Sequence, residues 1–170
     1  MIYEIAGISD SINQGDIISQ CPLIYWLMER RSDGMLERRA TVSHERVVVL
    51  TQSCDLANDK TTNVQVAVAH EARRLVELGL LKEHTIRDQV RRHRVFGWYF
   101  LPAGHNQPES IVDFRDIHTV PRALLLEQIS MGYRSVTIKS PYREHMAQHF
   151  AVTFSRIALP EPYETLDDRE

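Results

Sequence analysis

Arg46-Val47-Val48-Val49-Leu50-Thr51-Gln52-Ser53-Cys54-Asp55-Leu56 is the stretch on which the fold turns. Three consecutive β-branched valines disfavour a helix, because their branched Cβ crowds the preceding turn. An unbroken apolar run of this length reads as a strand covered on both faces. Asn63-Val64-Gln65-Val66-Ala67-Val68 then alternates polar and apolar, as a neighbouring strand does, and Asn58–Thr62 reads as the hairpin-type connection. Upstream, Gly15-Asp16 supplies a turn and Ile17-Ile18 opens an extended run. Between the two runs, residues 28–45 are polar and arginine-rich, with Asp33-Gly34 marking a loop or hairpin tip.

Downstream the periodicity changes. Ala72, Leu75, Val76 and Leu78 predict a helix stopped by Gly79. Thr85-Ile86-Arg87-Asp88 matches a capping box, and the helix it opens would place Ile86 and Val90 inward. Arg87, Arg91 and Arg94 would then share one face. Strand character returns in residues 95–101 and again in Ser110–Ile117. A short helix opening at Thr119 or Val120 runs to Ile129, Gly132 closes it, and Tyr133–Lys139 is a last strand. Ser140 as cap and Pro141 as first residue start a final helix carrying Tyr142, Met146, Phe150 and Ile157 on its apolar side. The expectation is α+β: six short strands in a small bent antiparallel barrel over residues 1–160, a helical insertion at about 70–94 and a C-terminal helix.

The chain has 170 residues, 25% charged and 43% hydrophobic, which excludes a disordered tail and a disulfide-rich miniprotein. The net charge of −3 divides unevenly. Residues 161–170 hold five acids and one arginine, leaving about +1 for residues 1–160, where the cations are mostly arginine. No stretch has the ~20 apolar residues of a membrane span. The N-terminal residues show no signal-peptide pattern, and two cysteines suit a reducing cytoplasm.

The order Gly15-Asp16-Ile17, a loop, Arg46–Gln52 and a further strand resembles the MazF/PemK toxin family. Ile111–Leu124 is similar to that family's late strand leading into a helix. The chain also looks like an uncharacterised bacterial group carrying GDI…CP, VVLTQSCD and SPYREHMAQHF. The toxin resemblance implies an SH3-like barrel, a homodimer and metal-independent RNA cleavage of toxin–antitoxin or defence type, with no cofactor. The family's Arg-Pro pair before the strand is replaced by His44-Glu45-Arg46-Val47, and its polar residue after the next strand by Ala69-His70. Arg46 is therefore the candidate for charge stabilisation, and His44 or His70 for acid–base work.

The other candidates come from the residues themselves. Gln52 and Asp55 follow a buried strand, where chains present functional side chains, and are candidate substrate contacts. Cys54 is either a nucleophile or a small structural residue, and neighbouring Asp55 opposes a thiolate. Cys21 and Cys54, both at strand ends, can form a thiol or metal site if their strands are neighbours, yet no metal-ligand spacing accompanies them. Asp16 either closes its own turn or faces a substrate groove. Arg87, Arg91 and Arg94 are phosphate contacts or a solvated face. His145 and His149, four apart on the last helix, are a chelating pair or a solvated helix-surface pair, and no third ligand stands at a recognisable spacing; Tyr99 is a stacking ring only if Trp98 and Phe100 are core. The alternative function is a non-catalytic binding subunit, docking on a protein encoded nearby through the last helix and acidic tail.

Overall fold

The computed structural model describes residues 2–7, 11–57 and 61–155. Within them the strands are β1 Tyr3–Ile5, β2 Asp16–Arg30, β3 Leu36–Val49, β4 Asn63–Glu71, β5 Trp98–Leu101, β6 Ser110–Pro121 and β7 Arg134–Ile138. The helices are α1 Ser53–Ala57, α2 Ala72–Glu77, α3 Glu83–Thr85, which continues into a π-helical turn at Ile86–Val90, α4 Arg122–Ser130 and α5 Tyr142–Phe154. The fold is α+β. All seven strands form one antiparallel sheet in the order β1-β7-β2-β3-β4-β6-β5. The sheet is open, with β1 and β5 at its edges.

The triple valine forms the C-terminal end of β3 and is fully buried. Val48 points into a core to which all seven strands contribute, from Tyr3 through Phe114 to Ile138, and which Met146 of α5 caps. Val47 and Val49 point the other way, against Ile18, Cys21, Val66, Leu56 of α1 and Leu125 and Ile129 of α4. Covering both faces removes most apolar surface from water, which explains an uninterrupted apolar run where a half-exposed strand would alternate. The two sheet edges also approach each other: the Tyr3 hydroxyl on β1 donates to the Pro102 carbonyl just after β5, at 2.7 Å. Gly15 has φ +87°, and a Cβ there would lie 3.1 Å from Ile138 Cβ, so the turn before β2 requires glycine.

The helical insertion packs Ala72, Ile86 and Val90 on Phe100 and Ile111 as a third core. It follows the fourth strand; the first, β1, has three residues and is too short to show alternation, so the sequence reading has six strands where the described residues form seven. The capping box at Thr85 does not form. Lys82 precedes the first helical residue, and Thr85 already has helical angles with no side-chain cap bond. β6 extends to Pro121, paired with Asn63, so α4 starts at Arg122 and not at Thr119 or Val120. Pro141, not Ser140, caps α5, and Tyr142 is its first residue. Residues 58–60, Ile157 and the acidic segment 161–170 lie outside the described residues.

Candidate functional site

The site begins with a divergence of two strands. β3 pairs with β4 only where Val47–Val49 meet Val66–Val68. Beyond that point β3 continues as the partner of β2, and β4 continues to Glu71 as the partner of β6. The gap opens into a cleft of about 640 Å³. His44 and Arg46 line it from β3, Ala69 and His70 from β4, and Arg74 and Leu75 from α2. Three residues picked out by sequence, His44, Arg46 and His70, thus meet on one open cavity.

Arg46 is half-buried, and its Nε is sheltered with no hydrogen-bond partner among the described residues. Its positive charge reaches the interior: burial raises the Tyr3 hydroxyl pKa well above its usual value, and Arg46 acts against that rise. Arg74 adds a second cation. The carboxylates in the wall are partly engaged, since Asp113 accepts three bonds from Arg115, one from its backbone N–H and two from its guanidinium, each 2.9 Å. The Asp113 pKa lies below the ordinary carboxylate value, because the Arg115 hydrogen bonds outweigh burial, which acts upward and is the largest single contribution. A cleft wall with an unanswered guanidinium N–H and two imidazoles can bind an anion and move a proton.

The remaining candidates lie elsewhere. Asp16 is fully buried and faces no groove. Its carboxylate accepts from the Asn13 N–H at 2.9 Å, from Arg134 at 3.0 Å and from the Thr137 hydroxyl, which corrects its assignment as a substrate contact. Gln52 and Asp55 line a separate cavity of about 700 Å³ with Gln14, Gln65 and Phe150. Cys54 stands exposed on α1 beside them, its Sγ 3.6 Å from Gln52 Oε1. Cys54 and Asp55 therefore do not line the cleft with Arg46. Cys21 is buried in the core and burial pushes its thiol up to about 11, so it is no nucleophile. Among the described residues no group of three or more His, Cys, Asp or Glu is placed to hold a metal ion.

Arg87 and Arg91 share a cavity of about 490 Å³ with Arg73, but Glu71, Glu83 and Glu109 line it too. Arg91 stacks on Phe100 at 5.1 Å, and Arg87 pairs with Asp88 at 3.3 Å. Arg94 does not join them. The π turn alters the residue spacing, and His93 at φ +54° ends the helical path before Arg94 is reached. Glu71 lines both this cavity and the cleft, so α2 separates two neighbouring depressions.

Two side-chain groups escaped the sequence reading. His145 and His149 are not a solvated pair: His93 packs against both rings, at 4.7 and 5.5 Å, and Tyr99 OH lies 3.0 Å from His145 Nδ1. Burial first, and the neighbouring imidazoles second, lower the His93 and His149 pKa values. Tyr99 is core and Phe100 is buried on the other face, so neither is a stacking platform. The second group joins Asp116 to His118 Nε2 at 2.9 Å, with Tyr25 against the His118 ring at 4.9 Å. The signal for it was present as Asp-x-His on a strand, since residues two apart share a face.

No protein-family model matches the chain, and no curated protein sequence matches it.

Proposed function

We propose that the protein acts on RNA at the β3/β4 cleft, as a metal-independent endoribonuclease of toxin or defence type. The observation that carries this reading is the convergence of His44, Arg46 and His70 on one cavity. In this scheme one imidazole takes the proton of the ribose 2′-hydroxyl as it attacks the adjacent phosphorus. The other gives a proton to the leaving 5′-oxygen. Arg46, with its unanswered Nε–H, stabilises the extra negative charge of the pentacoordinate phosphate. Arg87 and Arg91 across α2 would hold a flanking phosphate. The MazF/PemK-like barrel belongs to the same proposal, supported by the core shared among all seven strands and the Tyr3 bridge between the sheet edges.

Purified protein incubated with mixed RNA in EDTA tests it. Arg46→Ala should slow cleavage about 10²–10³-fold, the usual effect of losing one transition-state charge contact. No cleavage, or equal cleavage by the variant, overturns the assignment.

A second reading, a non-catalytic binding subunit, is favoured by one feature. Among the described residues neither His44 nor His70 is bonded to an orienting group. Stoichiometric co-purification with a neighbouring gene's product, without RNA cleavage, would select it.

A further inference from the structure

Beyond the Cys21↔Glu45 pair, β2 and β3 are hydrogen-bonded to no other strand among the described residues; they run on as a two-stranded arm to Arg30↔Leu36. Nine residue steps at ~3.3 Å give an arm about 30 Å long. Directly opposed residues in an antiparallel pair share a face, and successive residues alternate. One face therefore carries Ile24, Trp26 and Met28 from β2 with Val42, Ala40 and Leu36 from β3. The large ones are all exposed: Ile24 62%, Trp26 71%, Met28 56%, Val42 56% and Leu36 59%. The opposite face is rooted in the body by Tyr25, which packs on His118.

Side chains of this size at such exposure present an apolar patch of roughly 600 Å², at the upper limit of what a soluble monomer shows. An isolated two-stranded ribbon is marginal in water, so an arm of regular register calls for a cover. Charge narrows the choice of cover. From Glu29 to Arg39 the arm holds Arg30, Arg31, Arg38 and Arg39 against Glu29, Asp33 and Glu37, and Arg31 pairs with Asp33 at 3.4 Å. This near-balance gives little attraction for a polyanion or an anionic membrane. On the apolar face itself the charged side chains, Arg30 and Arg38, sit at the tip.

We propose that this face packs against the same face of a second copy of the chain, across a two-fold axis with the arms antiparallel. An apolar face is complementary to itself, and the antiparallel setting keeps the two arginine tips about an arm's length apart, beyond the ~8 Å screening length. Two such patches bury about 1,200 Å² in total, the lower bound of a specific interface. The proposal does not rest on the assignment of the cleft.

Sedimentation equilibrium of the full chain over a micromolar dilution series tests it. The expected mass is twice 19.7 kDa. Trp26→Glu and, separately, Val42→Glu should each return the chain to monomer with an unchanged circular-dichroism spectrum. Leu27→Glu, on the other face of the same arm, should leave the dimer intact. A wild-type monomer overturns the proposal, as does a dimer surviving both face substitutions or one lost equally in Leu27→Glu. A monomer that co-floats with phosphatidylserine–phosphatidylcholine vesicles, or that binds RNA through Trp26, would overturn it in favour of those occupants.

Discussion

Replacing Asp16 by alanine removes the negative half of an ion pair whose side chains are 0% exposed at Asp16 and 1% at Arg134. On a surface such a pair would be worth at most about 1 kcal/mol. Here water cannot take the place of the lost carboxylate, so the substitution takes the Asp16 charge away from a buried guanidinium. It also withdraws the acceptor from the Asn13 N–H and the Thr137 hydroxyl. Breaking a buried pair on one side costs about 3–5 kcal/mol, a large share of the ~5–15 kcal/mol that holds a domain together. With an m-value of about 2 kcal/mol/M, the urea midpoint should fall by about 2 M. Arg134→Met should lose a comparable amount. The double variant Asp16→Ala/Arg134→Met should lose clearly less than the sum, because neither charge of the pair remains. Equilibrium urea unfolding followed by circular dichroism gives all the values needed. A loss below about 1 kcal/mol for Asp16→Ala, together with loss of RNA cleavage, would refute the buried-pair reasoning. It would return Asp16 to the role of a substrate contact.

Met146 is fully buried as the plug of the inner core, so Met146→Ala should lower stability by about 2–5 kcal/mol, read by urea unfolding. Gly15→Ala sets a Cβ 3.1 Å from Ile138 Cβ at φ +87°, and should cost at least about 1 kcal/mol in the same measurement. His93 and His149 titrate below the ordinary histidine value when folded, so the unfolded chain binds more protons in the interval between the two values. Stability should therefore hold above about pH 6.5 and fall on acidification below it, and His149→Phe should flatten urea midpoints across that range. A thiol reagent should label exposed Cys54 in the native protein and reach Cys21 only on unfolding.

The sheet was legible wherever burial wrote a pattern. Val47–Val49 lacked alternation because both faces are covered, and Asn63–Val68 alternated because Asn63 and Gln65 stay exposed while Val64, Val66 and Val68 do not. The arm was hidden for the converse reason. Residues 36–43 of β3 bury nothing fully, so they carry no core-facing signal and read as a polar connection. β1 contributes one buried residue, Tyr3, which is too little to show a period. In the site, Arg46 and His70 were legible through their places flanking the two central strands. Arg74 was not, because its approach to the cleft depends on how α2 folds back, which is a tertiary fact. The Arg87/Arg91/Arg94 face failed for a local reason: spacing arithmetic assumes 3.6 residues per turn, and a π turn intervenes. For Asp16 the turn-closing role was legible, but its partners Arg134 and Thr137 were not, because they lie far along the chain on β7.

The cleft and the arm have one structural origin. β3 is bonded on both sides only across its three valines, and once it leaves β4 its outer edge is unpaired. The inner side of that departure is the cavity holding His44, Arg46 and His70, and its continuation is the exposed ribbon from Val42 to Leu36. His44 and Val42 are two residues apart, so they lie on the same face of β3. A second copy seated on the arm would therefore end near the mouth of the cleft, beside His44. Dimerisation would then restrict how a polymer enters the site, and a dimer-breaking Trp26→Glu should change KM for RNA more than kcat. Equal KM in monomer and dimer would separate the two features and leave β3 as a shared scaffold without functional coupling.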